Sequence, residues 1–142
     1  MKDDRFRVPI DEPYLTAVGL AVICFARLEW NAAWCCEKIE RGYIHTIEAK
    51  RKTAGDIAQD LARLARGHPD LKIREDLGKG AEEFVRLVRR RNALMHANPA
   101  TAPNGDQRLF RNHVEWSIQM VNDVSDEFVE AGGVLNHHVH LL

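Results

Sequence analysis

The sequence predicts an all-α protein, a four-helix bundle of up-and-down order with short connections and an irregular C-terminal tail. Three observations carry this. Apolar residues recur at three- and four-residue spacing over long stretches. Strand signals are nearly absent, because β-branched residues are scattered and do not alternate. Cap residues and Pro or Gly stops punctuate the helical stretches. Hydrophobic residues make up 45% of the 142, enough for the core of a single domain spanning 1–142.

Residues 1–11 are polar, include Pro9, and read as an arm leading into the first helix. That helix is expected from about Glu12 to about Tyr43. Its main stripe is Leu15, Val18, Val22, Phe25, Ala32, Cys36 and Ile39, and a second stripe holds Ile23, Trp30 and Trp34. A helix apolar nearly all round is buried on more than one side. The bundle covers one side, and a second subunit is expected on the other. Glu29 falls on the main stripe, where a carboxylate needs a partner. An arginine of a neighbouring helix is expected within salt-bridge reach, with Arg91 the leading choice.

A charged linker, Glu48 to Lys52, follows. Thr53 is an N-cap with Asp56 in the first turn, opening a helix marked by Ile57, Leu61 and Leu64. This helix stops before Gly67-His68-Pro69. Asp70 caps the third, which reaches about Ala97 with a kink expected at Gly78 and Gly80. From Ala81 its pattern is clean through Phe84, Val85, Val88 and Met95. Asn98-Pro99 stops it. Residues Pro99 to Asp106 are expected to form a loop, with a fourth helix from about Asn112 to Glu130 on Val114, Ile118, Val121, Val124 and Phe128. Gly132-Gly133 is expected to end that helix, leaving 134–142 as an apolar, histidine-rich tail.

The formal net charge of −1 argues against a protein that lives on non-specific nucleic-acid binding, so any such contact needs a local basic patch. Cys24, Cys35 and Cys36 are odd in number and two are adjacent. That excludes a disulfide framework and points to a reducing compartment. Cys35 and Cys36 read as core or interface packing. No CxxC pair offers zinc ligands. His137, His138 and His140 have no carboxylate or cysteine near them in sequence, so neither a metal site nor a cofactor is expected. The apolar run from Leu15 to Ala26 is too short to span a membrane, which takes about 20 residues. The expected location is cytoplasmic.

The chemistry-bearing feature is Arg91-Asn92-Ala93-Leu94-Met95-His96. Spacing alone does not single it out, since Arg63 to His68 and Arg108 to His113 repeat it. Context does. Only Arg91 to His96 lies inside a strongly amphipathic helix, with an asparagine second and a stop just behind. Asn92 and His96 are four apart and share a face. His96 lies where the negative end of the helix dipole favours imidazolium. Histidine exchanges protons near neutral pH and can serve as base and then acid. A guanidinium matches phosphate oxygens with a fork of donors. Together these groups can cleave RNA without a metal: the base activates the 2′-hydroxyl for attack on its own phosphodiester, and cations hold the developing charge. Arg86, Arg89 and Arg90 extend the positive face as candidate RNA contacts. Lys50, Arg51 and Lys52 form a second basic run.

Arg91-Asn92-x-x-x-His96 near the end of the third long helix resembles the motif of the HEPN family. So do the four-helix outline and the run Phe25-Ala26-Arg27-Leu28-Glu29-Trp30 on the first helix. The resemblance covers most of the chain, and the motif is its specific part. It implies a homodimer with the two motifs facing a shared cleft, and ribonuclease activity carried by Arg91, Asn92 and His96. It also implies a toxin or defence effector, with an antitoxin protein as a partner in some family members. Other members have lost catalysis and bind a nucleotide, RNA or a partner protein. A plain helical dimerisation domain, with His96 buried or its ring used by backbone groups, is the third reading.

Overall fold

A computed structural model describes residues 2–142. These residues are mostly helical, with five α-helices and a small three-stranded antiparallel sheet.

Helix α1 (Glu12–Ile39) starts where expected. The Asp11 carboxylate accepts from the Tyr14 N–H, and Pro13 occupies the first turn, where its missing N–H costs nothing. The buried stripe is Tyr14, Ala17, Ala21, Phe25, Leu28, Ala32 and Cys35. This corrects the expected stripe: Leu15 and Val22 are 51% and 46% exposed. Small residues decide the difference. Ala17, Ala21 and Ala32 let a neighbouring helix approach closely, which side-chain hydropathy alone does not register.

The helix ends four residues earlier than expected. Gly42 takes the left-handed conformation (φ 91°), and the Glu37 carboxylate accepts from the Gly42 and Ile44 N–H groups at 2.7 and 3.0 Å. Tyr43 therefore opens a separate short helix, α2 (Tyr43–Ala49). The buried Tyr43 hydroxyl donates to Asp60 at 2.6 Å, and Lys52 Nζ reaches the same carboxylate at 2.9 Å while lying over the Tyr43 ring. Lys52 is thereby withdrawn from the basic run.

Helix α3 (Ala54–Arg66) opens on the expected Thr53–Asp56 capping box, and α4 (Leu71–Met95) opens on Asp70. Helix α4 runs unbroken through Gly78 and Gly80. Gly80 is buried against α5, and a Cβ there would stand 3.0 Å from Leu135 Cδ2, so glycine serves close packing.

After α4 the chain forms β1 (Asn98–Thr101), β2 (Gln107–Arg111) and β3 (Val114–Trp116), paired in that order. This shortens the loop expected at Pro99–Asp106 to the β1–β2 connection at 102–106, and overturns the helix start at Asn112. Asn112 and His113 both adopt positive φ (53° and 66°), the two-residue turn whose twist suits a hairpin. Leu109 pairs with Trp116, and Trp116 is buried.

Helix α5 (Ile118–Leu141), capped by Ser117, begins later and runs on through Gly132-Gly133, so residues 134–141 are helix and not an irregular tail. Two glycines cost about 1 kcal/mol each relative to alanine. Packing offsets this: the Cβ position of Gly132 lies 3.7 Å from Leu28 Cα, and Leu135 and His138 are buried beyond it. Burial holds the His138 imidazole below its ordinary pKa.

Helix α1 packs on α3 and α5, and α4 packs on the same two. Tyr14 hydroxyl donates to the Trp116 carbonyl (2.7 Å), Asn31 to Gly132 (3.3 Å), and Cys35 Sγ to Leu135 (3.3 Å). The partners advance together along the sequence on both sides, so α1 and α5 run parallel. A simple up-and-down bundle would set its first and last helices antiparallel. Burial pushes the Cys35 and Cys36 thiols up to about 12, which makes them unreactive packing groups. By length and composition α1 is apolar enough to cross a membrane, contrary to the short-run expectation. In this fold Tyr14, Phe25, Leu28 and Cys35 belong to the common core.

Candidate functional site

The start of α1, the end of α4, the sheet and the start of α5 meet at one end of the molecule. Trp116 is the meeting point: Tyr14 donates to its carbonyl, and the Arg90 guanidinium lies 4.7 Å over its ring.

His96 is the C-cap of α4. Its N–H donates to the Asn92 carbonyl at 2.9 Å, and two residues later the chain enters β1. The side chain is exposed, and among the described residues its ring makes no hydrogen bond. Asn92 is half-buried one turn earlier, and its side chain likewise has no partner among those residues. The imidazole is open to a ligand at the negative end of a 25-residue helix.

Arg91 is held differently. Its guanidinium carbon lies 4.5 Å over the Phe25 ring, and its Nε is buried without a hydrogen-bond partner. A buried orphan donor costs about 1–3 kcal/mol. The cation–π contact with Phe25 offsets part of that. Arg91 thus leans over α1, and among the described residues no hydrogen bond joins it to the His96 ring.

Glu29 stands one turn beyond Phe25. No ion pair joins it to Arg91 or to any other described residue, so the salt bridge expected from sequence is not formed. Burial pushes the Glu29 carboxyl above its usual range, and the nearby Arg91 charge opposes this. A carboxylate whose folded pKa is raised stabilises the fold at low pH and loses that contribution as pH rises through the folded value. Glu29→Gln is therefore expected to leave the urea midpoint at pH 7 unchanged or slightly higher, with the difference disappearing below about pH 4.5, the ordinary value for glutamate. Urea melts at both pH values check this.

The three outer arginines separate. Arg89 is exposed and without a carboxylate partner among the described residues. Arg90 is half-buried on Trp116. Arg86 is bound by the carboxylates of Glu83 and of Glu127 on α5, which raise its pKa while it lowers that of Glu83. Arg86 closes the α4–α5 seam, ten residues or about 15 Å of helix from His96. It is a structural ion pair, in place of the free phosphate contact expected from the sequence.

One residue of this end escaped the sequence reading. Arg111, at the end of β2, donates from Nη1 to the His96 carbonyl at 3.4 Å. Its signal is the alternation of Leu109, Arg111, Val114 and Trp116 around the turn-forming pair Asn112-His113, a pattern that a helix start at Asn112 cuts in two. His137 and His138, the other histidine cluster, lie on α5 with ring centroids 6.1 Å apart. No third ligand joins them to form a metal site among the described residues.

The end of α4 therefore presents a free imidazole, an asparagine and several guanidinium groups, which can exchange protons and hold an anion. No family model matches this chain, and neither a curated protein nor a solved structure does.

Proposed function

We propose that this protein is a metal-independent endoribonuclease of the HEPN type, a homodimer in the cytoplasm acting as a toxin or defence effector. His96 is its proton-transfer group, Arg91 its phosphate cation and Asn92 the residue that orients the ring. The observation that carries this reading is the exposed, unpartnered His96 ring at the C-terminus of α4, with Asn92 and Arg91 within the preceding turns. Those groups suffice for attack of a 2′-hydroxyl on its own phosphodiester, giving a 2′,3′-cyclic phosphate and sparing DNA. The mostly helical fold is compatible with the family resemblance. Incubation of the purified protein with a mixed-sequence RNA in EDTA tests the reading: cleavage supports it, and cleavage only after addition of a divalent metal contradicts it.

A homodimer is supported by the apolar residues left outside the core. Leu20, Ile23 and Trp30 of α1 are 52%, 60% and 53% exposed, and Val129 of α5 is 61% exposed. Exposed apolar patches of large area mark interfaces. A two-fold interface here should bury more than about 1,000 Å² in total. Light scattering at micromolar concentration is expected to give twice the 16.2 kDa chain mass, and Ile23→Glu with Trp30→Glu is expected to return the monomer. A wild-type monomer would remove the dimer from the reading.

The inward lean of Arg91 over Phe25 favours a second reading: a non-catalytic HEPN-like dimer that binds a nucleotide, RNA or a protein partner. RNA binding without cleavage under any condition would select it.

A further inference from the structure

We propose that Arg111 binds the phosphodiester backbone of the substrate, so that RNA crosses the end of α4 onto the β2–β3 hairpin and does not run along α4. This inference rests on the ribonuclease reading.

Leu109 pairs with Trp116 and Arg111 with Val114, so Arg111 lies on the sheet face shared with buried Trp116, one step closer to the turn. That step brings its guanidinium to the carbonyl of His96. The ribbon carrying it is held at both strands. The Leu109 N–H donates to the Tyr14 hydroxyl at 3.1 Å, and that hydroxyl donates to the Trp116 carbonyl at 2.7 Å. A cation on a fixed ribbon loses less conformational freedom on binding than one on a mobile loop.

The guanidinium itself is only lightly engaged. A distance of 3.4 Å is long for an N–H···O bond, which is usually 2.7–3.2 Å. Arg111 is exposed and has no carboxylate partner among the described residues. Of the other cations at hand, Arg86 is bound by two carboxylates, Arg90 is laid on Trp116 and Arg91 on Phe25, while Arg89 is as free as Arg111 but lies seven residues, about 10 Å of helix, back from His96. Arg111 thus combines closeness to His96, exposure and free donors. A planar fork of N–H donors suits a phosphate's oxygens.

Arg111 could instead only tie down the end of α4 through the His96 carbonyl. The salt dependence separates the two roles, because losing a phosphate contact lowers the slope of log affinity against log salt and losing a helix tie does not, and Arg111→Gln removes the charge while keeping a polar side chain. The probe is a single-stranded 2′-O-methyl RNA, which binds but cannot be cut, measured by fluorescence anisotropy over a series of salt concentrations. Arg111→Ala and Arg111→Gln are both expected to weaken binding about tenfold at low salt, one charge-assisted bond's worth. Both should lower the slope of log affinity against log salt by about 0.7. Arg111→Gln that binds like wild type, with the same slope, overturns the proposal. So does Arg111→Ala that cleaves unmodified RNA at the wild-type rate, and in that case the ribonuclease reading stands. A wild-type protein that neither binds the probe nor cleaves RNA overturns both.

Discussion

Replacing His96 by alanine is expected to lower RNA cleavage by roughly 10²–10⁴-fold while leaving the fold intact, the loss typical of a positioned acid–base group. The fold should be indifferent because the ring is exposed and makes no hydrogen bond among the described residues. Surface changes of that kind stay within about 0.5 kcal/mol. The cap itself depends on backbone groups: the His96 N–H on the Asn92 carbonyl and the Ala97 N–H on the Leu94 carbonyl. Alanine preserves both. Single-turnover cleavage together with thermal melts of both proteins checks the prediction. A His96→Ala protein that cuts RNA as fast as wild type would remove His96 from the chemistry.

Arg91 is expected to be as severe in activity and costlier in stability. Removing one donor that stabilises developing charge costs about 10²–10³ in rate. Arg91→Ala also removes the guanidinium from the Phe25 ring, a contact worth about 0.5–2 kcal/mol. A parallel melt is therefore needed to separate loss of fold from loss of chemistry. Arg91→Lys is the sharper variant. It keeps a cation over Phe25 and should recover most of the stability, yet recover little of the cleavage, because a point charge lacks the fork. Near-wild-type cleavage by Arg91→Lys would mean that the site needs only charge at this position.

Periodicity and caps made the helical class legible in the sequence. Thr53 with Asp56, and Asp70, lie where the chain starts its third and fourth helices, as their side chains dictate. What was missed follows from tertiary packing overriding local preference. Gly132 permits the close approach of α1 and α5 that keeps α5 helical across two glycines. Nothing local to Gly132-Gly133 announces Leu28 on the opposite helix. The sheet was missed for a different reason: its strands are only three to five residues long, and its turn relies on Asn112 and His113 in place of the glycine that marks most such turns. The site divides the same way. His96, Asn92 and Arg91 were found because they share one helix. Arg111 belongs to the same end of the molecule only through strand pairing, so no spacing along the sequence connects it to His96. The sequence predicts the Glu29–Arg91 pair because both residues should face the bundle near one end. Arg91 turns instead to the Phe25 ring and leaves Glu29 within its field but out of contact.

The central claim is that the C-terminal end of α4 cuts RNA through the substrate's own 2′-hydroxyl, without a metal. End-group analysis of the products tests it most directly. An RNA oligonucleotide is incubated with the wild-type protein in EDTA, beside the same strand carrying a single 2′-deoxy nucleotide at the mapped cleavage position. The account predicts 2′,3′-cyclic phosphate ends from the first strand and no cut at that position in the second. Products with 3′-hydroxyl ends, or cleavage at the 2′-deoxy position, would contradict it.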